Sequence, residues 1–217
     1  MKKLALLAVC LVLGIGTGWA SVNGTTNPAQ FNDWVDWCQF GCAAAQFPTP
    51  QAFSSTSGIT GEVGLVGTLQ GFYNLQDGVS WGGGFPAGMG LIYNGVAYGN
   101  TSTQMAVTFD IGVLGVGAYI QGNWIGVPYI ASIELFDSSF QSLGVYTVNS
   151  VANNITFIGA LGSSPVWAAQ FDLIDTNGNE DFAIGSVGIS TVPEPSSFLL
   201  LGTSALGLAG YLRRRFL

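Results

Sequence analysis

Tyr129-Ile-Ala-Ser-Ile-Glu-Leu-Phe136 alternates side chains at a period of two, with Tyr129, Ala131, Ile133 and Leu135 on one face and Ile130, Ser132, Glu134 and Phe136 on the other. Successive strand residues point to opposite faces, so this pattern is that of a half-buried β-strand rather than a helix. The same reading extends outward from it. Residues 104–109 (QMAVTF), 144–148 (GVYTV), 154–158 (NITFI) and 166–174 (VWAAQFDLI) are rich in β-branched and aromatic residues and are bounded by Gly, Asn, Asp or Ser. Residues 31–38, 61–69, 116–121 and 181–189 add further candidates, and no stretch carries a helical period over any length. Short strands at this spacing predict an all-β fold, an antiparallel β-sandwich over residues 21–191. Residues 136–140 (FDSSF) and 175–179 (DTNGN) are expected to be hairpin turns, the second because Asn177-Gly178 suits a two-residue turn.

The charges of this body exclude much chemistry. Between Ser21 and Val192 the chain has no Lys, Arg or His, and it holds eleven of the twelve carboxylates. A surface of that sign repels phosphate backbones, so nucleic acid is not an expected partner. A catalytic triad needs His, a Schiff base needs Lys and a phosphate clamp needs a cation. The expectation is therefore a non-enzymatic body with no catalytic residue. The sequence neighbours Asp33/Asp36, Glu134/Asp137 and Asp172/Asp175 are each three apart, which places the members of a pair on opposite faces of a strand. A glycoside hydrolase needs two acids facing one bond, so a secreted glycosidase is the least favoured reading.

The basic residues mark the ends. Lys2 and Lys3 precede an apolar run from Leu4 to Ile15, followed by small residues around Trp19, which is the three-part pattern of a secretory signal over residues 1–20 with cleavage between Ala20 and Ser21. Leu7-Ala8-Val9-Cys10 loosely resembles a lipoprotein box, but the apolar run continues past it. At the other end, residues 198–212 (FLLLGTSALGLAGYL) carry no charge and lead directly to Arg213-Arg214-Arg215. As a helix this run would span about 22 Å, short for a ~30 Å hydrocarbon core, and arginines that snorkel would close the gap. The positive-inside rule keeps those arginines cytoplasmic and the body outside the inner membrane.

Val192-Pro193-Glu194-Pro195-Ser196-Ser197 separates body and apolar run, and two prolines around one acid make an extended, accessible linker. The order of this string, an apolar helix and a terminal arginine cluster over residues 192–217 resembles the PEP-CTERM sorting signal of Gram-negative bacteria. That resemblance implies that Pro193, Glu194 and Pro195 are read by exosortase, a membrane transpeptidase that cuts near the motif. It also implies passage through the secretion machinery, transient residence in the inner membrane, and a mature form at the cell surface or in a biofilm's exopolysaccharide matrix. The strings Asp36-Trp37 with Gly41, Phe109-Asp110, 115–120 (GVGAYI), 133–137 (IELFD), 157–159 (FIG) and 181–184 (DFAI) are similar to the jelly-roll ectodomains of such proteins, themselves akin to galactose-binding-like modules. Where such domains often end in an acidic strand, this chain reads Ile184-Gly185-Ser186.

Three groups are candidates for sites. Cys38 and Cys42 are the only cysteines after residue 20, and an even pair in an oxidising compartment reads as a disulfide; three intervening residues do not match a redox motif. Asp175, Asn177, Asn179 and Asp181 alternate oxygen-bearing side chains as a calcium loop would, so calcium is the one cofactor considered, although Gly178 falls elsewhere than in an EF-hand and the same residues suit a plain turn. Eight aromatics, Trp34, Trp37, Trp81, Trp124, Trp167, Tyr93, Tyr98 and Tyr129, could stack on sugars, and aromatics of a sandwich are usually core. Trp81 and Phe85 stand out because their glycine-rich segment, 80–89, reads as a flexible loop with less core to enter. The leading expectation is a structural or adhesive matrix protein, and the alternative is a carbohydrate-binding module using loop aromatics.

Overall fold

The computed structural model describes residues 21–191 apart from 43, 69, 100–103, 125 and 152–153. The proposed signal segment up to Ala20, the sorting motif Pro193-Glu194-Pro195, the apolar run 198–212 and the basic tail 213–215 lie outside the described residues. Twelve strands follow one another: β1 Val22–Thr25, β2 Asp33–Val35, β3 Ala45–Phe47, β4 Gln51–Ser54, β5 Thr60–Leu65, β6 Phe72–Gln76, β7 Gly90–Tyr93, β8 Met105–Gly122, β9 Tyr129–Phe136, β10 Ser142–Ser150, β11 Thr156–Asp175 and β12 Phe182–Ser190. Among the described residues the only helices are three single 3-10 turns, and every pairing between these strands is antiparallel.

Two long strands, β8 and β11, decide the architecture. Near its start β8 pairs with β5 and with the second half of β11, which goes on to β9 and so to β10. Its second half instead pairs with β12 and with the first half of β11, which carries β1 on its outer side. One layer therefore runs β4-β5-β8-β11-β9-β10. The other runs β3-β6-β7-β12-β8-β11-β1, with β2 against the far end of β12. Both strands cross from one layer to the other, and the register of their pairing slips between Leu161 and Val166 and again before Ala168. Such irregularities bend a strand without ending it. The fold is an all-β antiparallel sandwich, as expected; its jelly-roll winding is a finer statement that stays with the resemblance.

The interior follows the period of two. Tyr129, Ala131, Ile133 and Leu135 of β9 are buried against Val107, Phe109, Phe171 and Leu173 from the same layer and Ile120, Ile158, Ile184 and Val187 from the other. Non-polar area removed from water at about 25 cal/mol per Å² supplies the driving force for this closure. The layer containing β12 is covered on its outer face too. A second apolar cluster sits there, built from Leu75, Leu91, Tyr93 and Ala183 together with Trp81 and Phe85 from the 77–89 loop.

The 175–179 turn is present, but it is not a hairpin. β11 ends beside β9 in one layer and β12 starts between β7 and β8 in the other, so this turn carries the chain across the end of the sandwich.

Candidate functional site

Three connections meet at that end: residues 94–99 after β7, the described residues of 123–128 between β8 and β9, and 176–181 between β11 and β12. They are tied by side chains that fold back onto backbone. Asn94 donates from its amide to the Glu180 carbonyl at 2.6 Å and accepts from the Phe182 N–H at 3.1 Å, while its own N–H donates to the Phe182 carbonyl at 3.1 Å. The Asp181 carboxylate, 3% exposed, accepts from the Asn123 amide at 2.8 Å and from the Ala97 N–H at 3.3 Å. The Asn123 N–H donates to the Asp181 carbonyl at 2.9 Å. One buried acid thus pins both neighbouring connections, and hydrogen bonds to a charged acceptor are roughly twice as strong as neutral ones.

This knot fixes what lies next to it in sequence. Trp124 follows Asn123 and is 52% exposed, and Glu180 precedes Asp181. Trp124, Glu180, Asn179, Val96 and Ala97 line a cleft of about 230 Å³. Neither the Glu180 carboxylate nor the Trp124 ring N–H makes a hydrogen bond to another described residue, whereas each oxygen of the Asp181 carboxylate accepts one. The cleft therefore presents an aromatic face, one free carboxylate and an amide side chain on a braced frame. Nothing in the spacing of the sequence singles out Trp124 from the other aromatics; the cue is the Asn123-Trp124 and Glu180-Asp181 dipeptides, in which a tethering residue sits beside a free one.

The four oxygen-bearing residues of the calcium reading are not gathered around one point. Asp175 folds back on its own turn, accepting from the Asn177 N–H at 2.7 Å, the Asn179 N–H at 2.9 Å and the Asn179 amide at 2.8 Å. Burial alone would push its carboxyl up, but the donors from Asn179, Asn177 and Gly178 together outweigh it and hold the group below the usual carboxylate range. Asp181 faces Ala97 and Asn123 instead. Among the described residues no three acidic or cysteine side chains gather as a metal set.

Trp81 and Phe85 require a correction. They are 7% and 4% exposed and belong to the outer apolar cluster, with the Trp81 ring N–H donating to the Gln121 side-chain oxygen at 3.1 Å. The Gly84 N–H donates to the same oxygen at 3.0 Å. A ring so covered has no face for a sugar. The glycines serve close approach: a Cβ on Gly83 would stand 2.1 Å from both the Gln121 oxygen and the Trp81 ring nitrogen, and one on Gly185 of β12 would stand 2.6 Å from the Met89 sulfur and 3.2 Å from Phe85. The outer face of that layer is apolar, and this loop is what covers it.

Cys38 and Cys42 are joined, with their Cα atoms 4.6 Å apart, at the end of a 3-10 turn that Asp36 caps by accepting from the Cys38 N–H at 2.9 Å. Asp33, buried at the start of β2, accepts from the Ser55 and Ser57 hydroxyls and from the Ser57 and Trp34 N–H groups. Burial works against its charge, but these donors outweigh it and hold the carboxyl low. Asp77, at the root of the covering loop, is different: one of its oxygens has no partner, and burial, opposed only by a bond from the Phe85 N–H, pushes its carboxyl up.

Residues 191–215 match the PEP-CTERM protein-sorting motif. The chain carries a sorting signal. That signal marks it as an exported protein with exosortase as its processing partner, as the string Pro193-Glu194-Pro195 suggested. Among the described residues no helix is long and apolar enough to cross a membrane. No curated protein matches the chain. Of solved structures, the crystal structure of a DUF4465 family protein from Bacteroides caccae ATCC 43185 is similar at 12% identity and a TM-score of 0.37, over 73% of this chain and 100% of that one.

Proposed function

We propose that the mature protein is a non-catalytic, structural or adhesive component of the cell surface or exopolysaccharide matrix, delivered there after exosortase processing at Pro193-Glu194-Pro195. The sorting motif over residues 191–215 carries this reading, because it commits the chain to a route that ends outside the inner membrane. The body suits that destination. Its eleven carboxylates with no basic side chain between Ser21 and Val192 hold a hydrated, mutually repelling surface.

The carboxylates support the absence of catalysis. Asp33, Asp36, Asp137 and Asp175 cap turns or satisfy backbone donors. In the Trp124 cleft Asp181 is engaged by Ala97 and Asn123, which leaves Glu180 as the one free acid, where glycoside hydrolysis needs two. Calcium remains an accessory of this proposal only as a bridge between acidic surfaces.

The test is genetic. In the native host, removal of the chain is expected to loosen the surface matrix, and the wild-type chain to restore it. A chain with Pro193, Glu194 and Pro195 replaced by alanine is expected to stay with the membranes and restore nothing. Full restoration by that variant would overturn the reading.

A further inference from the structure

We propose that the cleft lined by Trp124 and Glu180 binds a protonated amino sugar, a de-N-acetylated hexosamine unit of a surface polysaccharide. The inference rests on the surface-protein reading for the source of the ligand, and on the cleft alone for its chemistry.

Four observations converge. The first is the contrast in how the chain treats its large rings: Trp37 is fully buried and Trp81 nearly so, yet Trp124 is 52% exposed on a connection held by three hydrogen bonds. An exposed indole offers its face to the apolar side of a pyranose ring and attracts cations through its ring quadrupole. The second is the Glu180 carboxylate, half-buried in the same cleft as that ring and without a hydrogen-bond partner among the described residues. No Lys, Arg or His exists between Ser21 and Val192 to pair with it, so a cation for this acid has to arrive with the ligand. The third is the field of the body, whose uniform negative sign raises the local concentration of cations and repels anionic sugars. The fourth is rigidity. Asn94, Asn123 and Asp181 lock the three connections together, so little ordering remains to be done when a ligand enters.

Size limits the ligand to about one ring. At about 230 Å³ the cleft is below the range of roughly 300–1,000 Å³ in which drug-sized molecules are held, which suits a single residue or chain end rather than a long groove. Val96 and Ala97 give it apolar lining, and the Asn179 side-chain oxygen, which makes no hydrogen bond to a described residue, is free to accept from a sugar hydroxyl. A neutral sugar would meet the indole and the amide but leave Glu180 without a counter-charge. An amino sugar uses all three.

The experiment is calorimetric titration of the full-length chain in detergent with a glucosamine oligomer, its N-acetylated counterpart and oligolysine. The glucosamine oligomer is expected to bind, more weakly as salt is added. Trp124→Ala is expected to lower its affinity by about tenfold, Trp124→Phe by less, and Glu180→Gln by about fivefold with the salt dependence reduced. The N-acetylated oligomer should bind more weakly than the free amine and be indifferent to Glu180→Gln. Melting temperatures of the three variants, unchanged from the parent, separate loss of binding from loss of fold. Absence of binding, binding indifferent to both positions, or oligolysine binding as tightly with the same dependence would overturn the proposal. None of those results touches the route of export, which stands or falls on where the protein is found.

Discussion

The 77–89 loop and the 123–128 connection invert what their sequences advertise. The first is rich in glycine and reads as a flexible tip, yet Trp81 and Phe85 are buried on the outside of the sandwich. The second is unremarked in composition and holds the one exposed tryptophan among the described residues, Trp124. The difference lies in what is underneath. The layer around β12 has a second apolar face, made by Leu91, Tyr93 and Ala183, and the first loop is drawn onto it. The second crosses the end of the sandwich, where Asp181 and the Tyr93 hydroxyl accept hydrogen bonds from Asn123 and only Val96 and Ala97 offer apolar surface near Trp124. Exposure of an aromatic is thus decided by the face that a loop meets and not by the loop's own composition.

Breaking the buried side of this contrast should have the largest effect. Trp81→Ala empties the outer cluster and removes one of the two donors to the Gln121 oxygen, so it is expected to cost about 3–5 kcal/mol, read as a lowered denaturant midpoint. A smaller loss, about 1–3 kcal/mol, is expected from Gly185→Val, because the added carbons meet Met89 and Phe85; it should also raise the amide exchange of residues 77–89 above that of the same residues in the parent. Equal exchange in both would mean that the loop does not depend on Gly185 for its seat.

Acid should separate the two ends by sign. The Asp77 carboxyl is raised, so its contribution to stability is present below the unfolded value of about 3.9 and is lost as pH rises through the raised value. Asp175 is lowered, so its contribution is present above about 3.9 and is lost as pH falls through the depressed value; Asp33 behaves in the same way. Acidification from neutrality should first tighten the covering loop and, further down, loosen the 175–181 turn. Melting curves across pH should lose the first limb in Asp77→Asn and part of the second in Asp175→Asn, with the share of Asp33 remaining. The smallest effect is reserved for Trp124→Ala, expected within about 0.5 kcal/mol of the parent because the ring covers little. A large loss there would show that Trp124 is a structural residue after all.

Much of the fold is legible in the alternation of single strands. Residues 129–136 form β9 as read, and 144–148 lie within β10. The joins were not legible. Residues 110–115 and 159–165 carry Gly, Ser and Pro and read as breaks, yet the chain runs through both as β8 and β11. Those residues permit a bend between layers, and a bend and an end have the same local chemistry. β1, β3, β4, β6 and β7 escape notice because each is only three to five residues long, too short for a period to show. At the site, Asp181 was legible as an oxygen donor but its role was not, since the Asn123 and Ala97 donors reach it from distant sequence.

The account depends most on the sorting route, and the direct measurement is the intact mass of the protein recovered from the native host's surface, with both ends mapped. A chain that begins at Ser21 and stops near Pro193, lacking Arg213, Arg214 and Arg215, is the predicted result. Recovery of the whole population with those arginines still attached would contradict it.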